Sequence, residues 1–358
     1  MNLKSGIVGL PNVGKSTLFN AISKTASAEA ANYPFCTIDP NVEIIQVPDD
    51  RLEKLSQMAN SQKTIFTSIE LVDIAGLVKG ASQGEGLGNK FLSNIRNVNN
   101  IIHMVRCFEG DITHVEETID PIRDIEIIQT ELLLADLQSI SNKLDKGKKK
   151  LTADEMTALQ QMYDFAQTGK MLIEMDMSDD CKAIAKELQL LTIKKSIYVA
   201  NIDDVQDSKD NKHVKAMQDY TSKHGAPLVI IAAKLEAEIS QLPEEEKMPF
   251  LQEIGMSSSG LTKIVQASFR QLNLITYFTV GEKEARAWSL KEGSTAPQAA
   301  GVIHTDFEKG FIKAEVTSYE DFIACGSATE CKAQGKLRIE GKDYIFKDGD
   351  IANFRFNV

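Results

Sequence analysis

A glycine-bounded stretch near the amino terminus has the residue types and the spacing that hold phosphates. Residues 9–17 read GLPNVGKST and match the pattern G-x-x-x-x-G-K-[ST]. The glycines let the backbone curl so that successive N–H groups point at a phosphate. Lys15 is expected to reach the β- and γ-phosphates and to act in catalysis, and Ser16 to bind Mg²⁺. The predicted nucleotide-binding residues of this loop are Asn12, Val13, Gly14, Lys15, Ser16 and Thr17.

The segments on both sides of this loop are those that a phosphate site requires. Residues 6–8 form an apolar run typical of a buried parallel strand, and apolar residues at 18, 19 and 22 share one helical face. The N-terminus of that helix would place its partial positive charge under the anion. A chance match in a glycine-containing turn is the alternative, and these flanks argue against it.

A second motif, D-x-x-G, begins at Asp73, the last residue of a predicted strand at 65–73. A predicted strand at 42–47 and a short predicted helix at 50–59 precede that strand. Asp73 would end its strand beside the phosphate loop and hold Mg²⁺ through water, and Gly76 could offer its N–H to the γ-phosphate. The motif alone is a weak signal, but it is strong behind a phosphate loop. Leu77 stands where Ras-like enzymes carry the Gln that orients water, so hydrolysis needs another group.

Three other places could respond to the γ-phosphate. Thr37, in the proline-bracketed segment 31–40, could give its hydroxyl to Mg²⁺, although such a segment is more often a plain loop. The glycine-rich residues 80–88 suit a switch, with a flexible linker as the alternative. His114, after a predicted buried strand at 100–107, is the candidate for placing the lytic water. A surface histidine without a role is an equal alternative.

Two later loops could contact the base. Residues 196–204 return to α/β character, and Asn201 and Asp204 occupy the outer places of the N-K-x-D motif of GTPases. Ile202 stands in place of the Lys of that motif. After a predicted strand at 228–231, Ala-Ala-Lys at 232–234 resembles the last base-contacting loop of the same class. The predicted base-contacting residues are Asn201, Ile202, Asp204, Ala233 and Lys234.

Composition restricts the class of protein. With 358 residues, 42% hydrophobic and 25% charged, the chain suits a globular protein of two or three domains. No apolar run approaches a membrane span and no secretory signal is evident, so the cytoplasm is the expected location. Five scattered cysteines without C-x-x-C spacing predict reduced thiols. A net charge of −11 argues against non-specific coating of nucleic acid, and no DNA partner is predicted.

Between about 124 and 190 the chain changes to apolar residues at helical spacing. The pattern breaks at the lysine-rich residues 143–150 and resumes after Thr152 and Glu155, which match a capping box. This predicts an antiparallel helical hairpin inserted into the nucleotide domain, with closing helices of that domain at 235–241 and 261–274. Charge runs are usually solvated faces, but a lysine-rich tip could also touch RNA phosphates.

The last part of the chain, from about 277, predicts a small mixed α+β domain with a curved sheet over a helix at 296–303. Composition gives it no chemistry. Its strand-like runs lie at 285–290, 310–316, 337–339, 344–346 and 354–356.

Several long motifs together resemble the YchF / Obg-like ATPase family. They are GLPNVGKST at 9–17, NYPFCTI at 32–38, DIAGLV at 73–78, GEGLGNKFL at 84–92, IHTDFEKGFI at 303–312 and GKDYI at 341–345. The resemblance spans the chain and implies an α/β P-loop NTPase of the TRAFAC class with a mostly parallel sheet. It also implies an inserted α-helical coiled-coil hairpin and a C-terminal β-grasp, ubiquitin-like domain of the TGS type. The predicted domains are 1–123 with 196–276, 124–195, and 277–358.

The same resemblance implies a ribosome-associated protein that prefers ATP to GTP despite GTPase ancestry. The rRNA contacts would come from the basic hairpin tip or the TGS domain, on a monomer or weak dimer. The family typically shows N-x-x-E, whereas this chain ends the motif in Asp204, and a carboxylate aimed at adenine N1 would be repelled. A short acid that sits back from the base, with Ile202 as an apolar wall, would remove that conflict.

The leading hypothesis is a slow, Mg²⁺-dependent ATPase switch on ribosomes that regulates translation or a stress response. Its metal ligands would be Ser16, Thr37 and Asp73, and Asn12 matches the P-loop Asn that related switches use to hold K⁺. A GTPase of the same fold is the first rival. A metabolic P-loop kinase is the second, although no acceptor pocket or arginine-bearing lid is evident. A binding module whose nucleotide is only structural is the third.

Overall fold

The computed structural model describes residues 3–29, 41–74, 87–109, 118–147 and 151–357. The predicted sites at Thr37, Gly76 and His114 lie outside these residues, as does most of the glycine-rich stretch 80–88. The strands are β1 (Lys4–Val8), β2 (Val42–Gln46), β3 (Thr64–Ile65), β4 (Ser68–Asp73), β5 (Asn100–Arg106), β6 (Ser196–Asn201), β7 (Leu228–Ile231), β8 (Leu274–Val280), β9 (Ala285–Lys291), β10 (Phe311–Ser318), β11 (Arg338–Glu340) and β12 (Asp350–Phe356).

The helices divide between the sheets and a separate hairpin. They are α1 (Lys15–Glu29), α2 (Asp50–Met58), α3 (Leu87–Arg96), α4 (Pro121–Gly147), α5 (Ala153–Gln167), α6 (Asp179–Glu187), α7 (Lys212–Lys223), α8 (Ala233–Ile239), α9 (Glu244–Glu253), α10 (Gly260–Gln271), α11 (Ala296–Ile303), α12 (Thr305–Lys309), α13 (Tyr319–Cys325) and α14 (Ala328–Ala333). None of these helices, within the described ranges, is long and apolar enough to cross a bilayer.

The first sheet has the strand order β2-β4-β1-β5-β6-β7. All of its pairs are parallel except β2 with β4, which is antiparallel. All seven residues of β5 are buried, as expected of a central strand that is covered on both faces. The predicted mostly parallel α/β sheet is confirmed. Its parallel strands bring the carboxyl ends of β1, β4, β5 and β6 to one edge, where the phosphate loop lies.

The predicted strand at 65–73 is wrong at its start. Only β4 belongs to the first sheet, whereas β3 leaves it and pairs in parallel with β9 of the second sheet. The predicted helix at 50–59 is present as α2, but its apolar residues Leu52 and Leu55 are buried against the second sheet beside Phe278. The apolar pattern specifies that this helix is half-buried, but it does not specify which sheet covers it.

The predicted helical hairpin is confirmed as α4 and α5, with its lysine-rich bend at 148–150 outside the described residues. The capping box is also confirmed, because Thr152 Oγ1 accepts from Glu155 N at 3.2 Å and Glu155 Oε2 accepts from Thr152 N at 2.8 Å. Helix α4 has 27 residues and is about 40 Å long. Its buried Asp136 accepts hydrogen bonds from the backbone of Leu191 and Thr192, which ties the return of the chain to the hairpin base.

The second sheet has the order β11-β10-β12-β8-β9-β3. The predicted helix at 296–303 is confirmed as α11, and Tyr277 of β8 donates its hydroxyl to the carbonyl of Ala299 at 2.8 Å. The opposite face is covered by α2, α13 and α14. The predicted strand at 344–346 is wrong, since Ile345 makes only an isolated bridge to Thr295. The TGS type of this domain and the domain boundaries stay predictions.

A buried histidine in β5 makes stability depend on pH. His103 lies against Tyr198, with ring centroids 5.5 Å apart, and burial lowers the pKa of His103 to about 3. Because the pKa of His103 is lower in the folded chain than its unfolded value of about 6.5, the neutral histidine contributes full stability above pH 6.5. This contribution is lost as the pH falls from about 6.5 towards the folded pKa of about 3. At pH 5 only the unfolded chain takes up this proton.

We therefore expect the His103→Phe variant to lose less stability than the wild type between pH 7 and pH 5. The difference should be about 2 kcal/mol in the free energy of unfolding, measured by urea titration at both pH values. Ile102→Val, at the neighbouring buried position, is the control, because it should lower stability by about 1 kcal/mol equally at both pH values. Equal pH dependence in the wild type and the His103→Phe variant would contradict the prediction.

Candidate functional site

The phosphate loop connects β1 to α1 and has the backbone conformation that such a loop needs. Gly14 has φ of +96° and Asn12 has φ of +63°, so the chain curls between the strand and the helix. A Cβ on Gly14 would collide with the Asn201 side-chain amide. The Leu18 N–H donates to the carbonyl of Gly14 at 3.0 Å and closes the first turn of α1. The strand, loop and helix predicted around residues 9–17 are therefore present.

Lys15, which follows this loop at the start of α1, contacts Asp73 at the end of β4. Lys15 Nζ lies 2.5 Å from Asp73 Oδ1, and their side chains are only 11% and 22% exposed. The pairing of β1 with β4 sets Ile7 beside Asp73, which brings the end of β4 to the loop. The structure thus places the predicted phosphate-binding lysine and the predicted metal-binding carboxylate in direct contact.

Asn201 joins the two halves of the predicted nucleotide site. Its Nδ2 donates to the carbonyl of Val13 at 2.8 Å, and its Oδ1 accepts from the N–H of Ala233 at 2.9 Å. The residue is buried at the end of β6. One side chain therefore connects the phosphate loop to residues 233–234 at the start of α8.

A cleft of about 510 Å³ opens between the phosphate loop and residues 201–203 and 233–234. This volume suits a nucleotide, since small-molecule sites span about 300–1,000 Å³. At the phosphate end it is lined by Asn12, Gly14, Lys15, Ser16 and Thr17, and at the other end by Phe108, Asn201, Ile202, Asp203, Ala233 and Lys234.

Two predicted residues do not line this cleft. The side chain of Val13 is buried, and the residue contributes its carbonyl to Asn201 instead. Asp204 accepts from the N–H of Gln206 at 2.9 Å and lines a neighbouring cavity of about 430 Å³. Asp203 takes the place facing the cleft, and its Oδ1 lies 3.2 Å from Lys234 Nζ.

Phe108, like Asp203, lines the end of the cleft away from the phosphate loop and is not among the residues predicted from the sequence. It follows β5 by two positions and lines both cavities. The buried Arg106 holds it from two directions, because Arg106 Nε donates to the Phe108 carbonyl at 3.1 Å and the guanidinium lies 4.4 Å from the ring centroid. An aromatic residue just past the carboxyl end of a buried strand is the signal that could have identified it.

The oxygens available beside Lys15 suit a Mg²⁺ ion. Mg²⁺ in phosphate sites is held by one or two protein oxygens, with phosphate and water completing the shell. Ser16 offers a hydroxyl and Asp73 a carboxylate at this position. In the described ranges no cluster of three or more His, Cys, Asp or Glu residues could hold a metal by itself. The donor set therefore fits a metal that arrives with a nucleotide.

Comparison with known proteins gives matches along the whole chain. A model described as a 50S ribosome-binding GTPase matches residues 4–143, and YchF-GTPase_C, described as a protein of unknown function, matches residues 274–357. The chain is 50% identical over 367 residues to the Ribosome-binding ATPase YchF of Bacillus subtilis, with 100% of both chains covered. It is 48% identical over 365 residues to the protein of that name from Escherichia coli O157:H7, again with 100% of both covered.

A solved structure also matches along nearly the whole chain. The Schizosaccharomyces pombe YchF GTPase is 38% identical, superposes with a TM-score of 0.89, and covers 99% of this chain and 98% of its own. The similarity therefore includes the phosphate loop, the helical hairpin and the second sheet.

Proposed function

This chain belongs to the YchF family, and we propose that it is a slow, Mg²⁺-dependent ATPase that binds the ribosome. One observation carries the proposal, namely the contact of Lys15 with Asp73 inside a glycine-bounded loop that opens into a nucleotide-sized cleft. The Bacillus subtilis and Escherichia coli relatives are named as ribosome-binding ATPases.

The loop residues bind and orient the phosphates in this proposal. Lys15 exchanges its contact with Asp73 for the β- and γ-phosphate oxygens and neutralises their charge. Ser16 and Asp73 would hold Mg²⁺, which when bound neutralises charge on the phosphate oxygens. Thr37, Gly76 and His114 remain the predicted third metal ligand, γ-phosphate contact and water-positioning group. Asn12 remains the predicted K⁺ ligand.

Three placements at the base end support adenine. Asp204 is turned away from the cleft by its hydrogen bond to Gln206 N, so its carboxylate does not oppose adenine N1. The Asp203 carboxylate that faces the cleft is paired with Lys234. The buried side chains of Phe108 and Ile202 supply apolar walls for a flat ring. A guanine site would instead need a free carboxylate at the N1–H and N2–H donors.

Competition for the site tests the choice of base. Unlabelled ATP is expected to displace a fluorescent nucleotide analogue at a lower concentration than GTP, in the presence of Mg²⁺. The Asp204→Ala variant should keep this order, because its carboxylate lies outside the cleft. Tighter displacement by GTP in the wild type, or a reversal of preference in the variant, would favour the GTPase alternative.

We propose that the lysine-rich hairpin tip or the second sheet binds the ribosome through contacts with rRNA. The expected location is the cytoplasm, and the expected regulated process is translation or a stress response. The length of α4 supports the tip, because the helix extends about 40 Å to Gly147, which immediately precedes these lysines in the sequence. Sedimentation with ribosomes at rising salt tests this contact, and replacing the three lysines at 148–150 with glutamine is expected to weaken it. Unchanged sedimentation would leave the second sheet as the contact.

A further inference from the structure

The chain between two strands of the first sheet is built into the second sheet. Residues 47–67 connect β2 to β4, and within them α2 buries Leu52 and Leu55 among Phe278, Ala287 and neighbouring core residues of the second sheet. The turn after α2 adds backbone contacts, since Gln62 N donates to the Glu282 carbonyl and Ala285 N to the Lys63 carbonyl, both at 2.9 Å. Strand β3 then extends the second sheet beside β9.

Arg51 fastens the start of this segment to the turn before β12 of the second sheet. Its Nη1 lies 2.6 Å from Asp348 Oδ2, and its guanidinium stands 5.2 Å from the centroid of the Phe278 ring. Asp348 Oδ1 in turn accepts from the N–H of Thr276 at 2.8 Å. Asp49 also binds Arg51, and these hydrogen bonds to carboxylates raise the pKa of Arg51. The segment is therefore held at Arg51 and at β3.

The other end of the same segment reaches the phosphate site within one strand. Only residues 66 and 67 separate β3 from β4, and β4 ends at Asp73, the ion-pair partner of Lys15. β2 pairs with β4 from Val42 with Val72 to Gln46 with Ser68, and Val47 N extends the ladder to the Thr67 carbonyl at 2.8 Å. The connection from the hairpin β2–β4 to the second sheet is therefore short on the β4 side.

We infer that residues 47–67 are a lever that couples phosphate binding at Lys15 to the position of the second sheet. The inference rests on the proposed nucleotide binding. A triphosphate withdraws Lys15 from Asp73, the β2–β4 hairpin shifts, and α2 and β3 carry the second sheet with them. Coupling between binding sites is reciprocal, so a partner that binds the second sheet changes nucleotide affinity by the same factor.

A natural reporter lies where the two sheets face each other. A cavity of about 160 Å³ is lined by Ile44, Ser68 and Glu70 of the β2–β4 hairpin and by Arg286 and Trp288 of β9. Trp288 is the single tryptophan of the chain. All tryptophan emission of the protein therefore comes from this one side chain, whose surroundings include the gap between the hairpin and the second sheet.

The experiment titrates the full chain with Mg²⁺ and a non-hydrolysable ATP analogue. Binding is measured by calorimetry, and Trp288 emission is recorded in parallel. The wild type should change its emission over the same concentration range as binding. Arg51→Met and Asp348→Asn should still bind the analogue but show a reduced emission change, because both remove the ion pair that holds the start of residues 47–67 to the second sheet. Arg338→Met is the matched control, since it removes an Arg–Asp pair with Asp350 in the same sheet without touching residues 47–67.

Each outcome decides the inference. An undiminished emission change in both Arg51→Met and Asp348→Asn would overturn it, as would wild-type binding without any change in emission. Absence of binding in the wild type would overturn the proposed function together with the inference, and calorimetry distinguishes that case. Thermal unfolding verifies that each variant is folded, and Asp348→Asn, which keeps an acceptor for Thr276 N, preserves the test should Arg51→Met fail to fold.

Discussion

The Lys15→Ala variant is expected to hydrolyse ATP about 10²–10³-fold more slowly than the wild type, the loss typical of removing one preorganised charge-stabilising donor. Lys15 is the cation that lies inside the phosphate loop, and its ion pair with Asp73 shows that the ammonium already reaches the metal side of the site. Its removal takes this positive charge away from the phosphates and leaves Asp73 without its counter-ion. Phosphate release at saturating ATP and Mg²⁺ measures the effect, and the affinity for the triphosphate should fall with it.

Lys4→Ala is the matched control for this variant. Lys4 also belongs to the β1–β4 pair and forms an ion pair with an acid of β4, because its Nζ lies 3.1 Å from Glu70 Oε2. That pair lies at the end of the strands away from the phosphate loop. We expect unchanged turnover in Lys4→Ala. If Lys15→Ala left both turnover and ribosome sedimentation unchanged, the alternative of a binding module whose nucleotide is only structural would be favoured.

Features that local residue chemistry determines could be predicted from the sequence. The phosphate loop is such a case, because its glycine spacing, its lysine and its helix start all lie within residues 9–17. The capping box of Thr152 and Glu155 is another, since both hydrogen bonds join residues three apart. The role of Asn201 was predictable as well, because the N-K-x-D pattern places one buried amide between two loops.

Features that depend on distant packing could not be predicted in the same way. β3 has two residues and no periodicity, so its transfer to the second sheet is decided by its partner, Ala285 with Arg286, more than two hundred positions away. Which of Asp203 and Asp204 faces the cleft is a similar case. Two adjacent carboxylates differ only in which one the turn after β6 directs to the cleft, and the hydrogen bond from Gln206 N to Asp204 settles that direction.

The Asn201→Leu variant is expected to lose both stability and turnover. Leucine has a similar size but neither donates nor accepts, so the buried Val13 carbonyl and the Ala233 N–H each lose their partner. An unsatisfied buried polar group costs about 1–3 kcal/mol, so the free energy of unfolding should fall by about 2–4 kcal/mol. Because the phosphate loop then loses its connection to Ala233, we expect the loop to shift. A shift of about 1 Å in groups that position the substrate lowers turnover about 10²-fold.

Asn211→Leu separates the two consequences, because Asn211 makes the same kinds of hydrogen bond at a neighbouring place. Its Nδ2 donates to the Cys107 carbonyl at 2.8 Å, and its Oδ1 accepts from His213 N at 2.9 Å and so caps α7. Urea unfolding should therefore show a loss of stability of about 1 kcal/mol or more in this variant too. Its turnover should stay at the wild-type level when measured well below the unfolding transition. Equal turnover losses in the Asn201 and Asn211 variants would mean that general destabilisation, rather than the tie between the two nucleotide loops, lowers the activity.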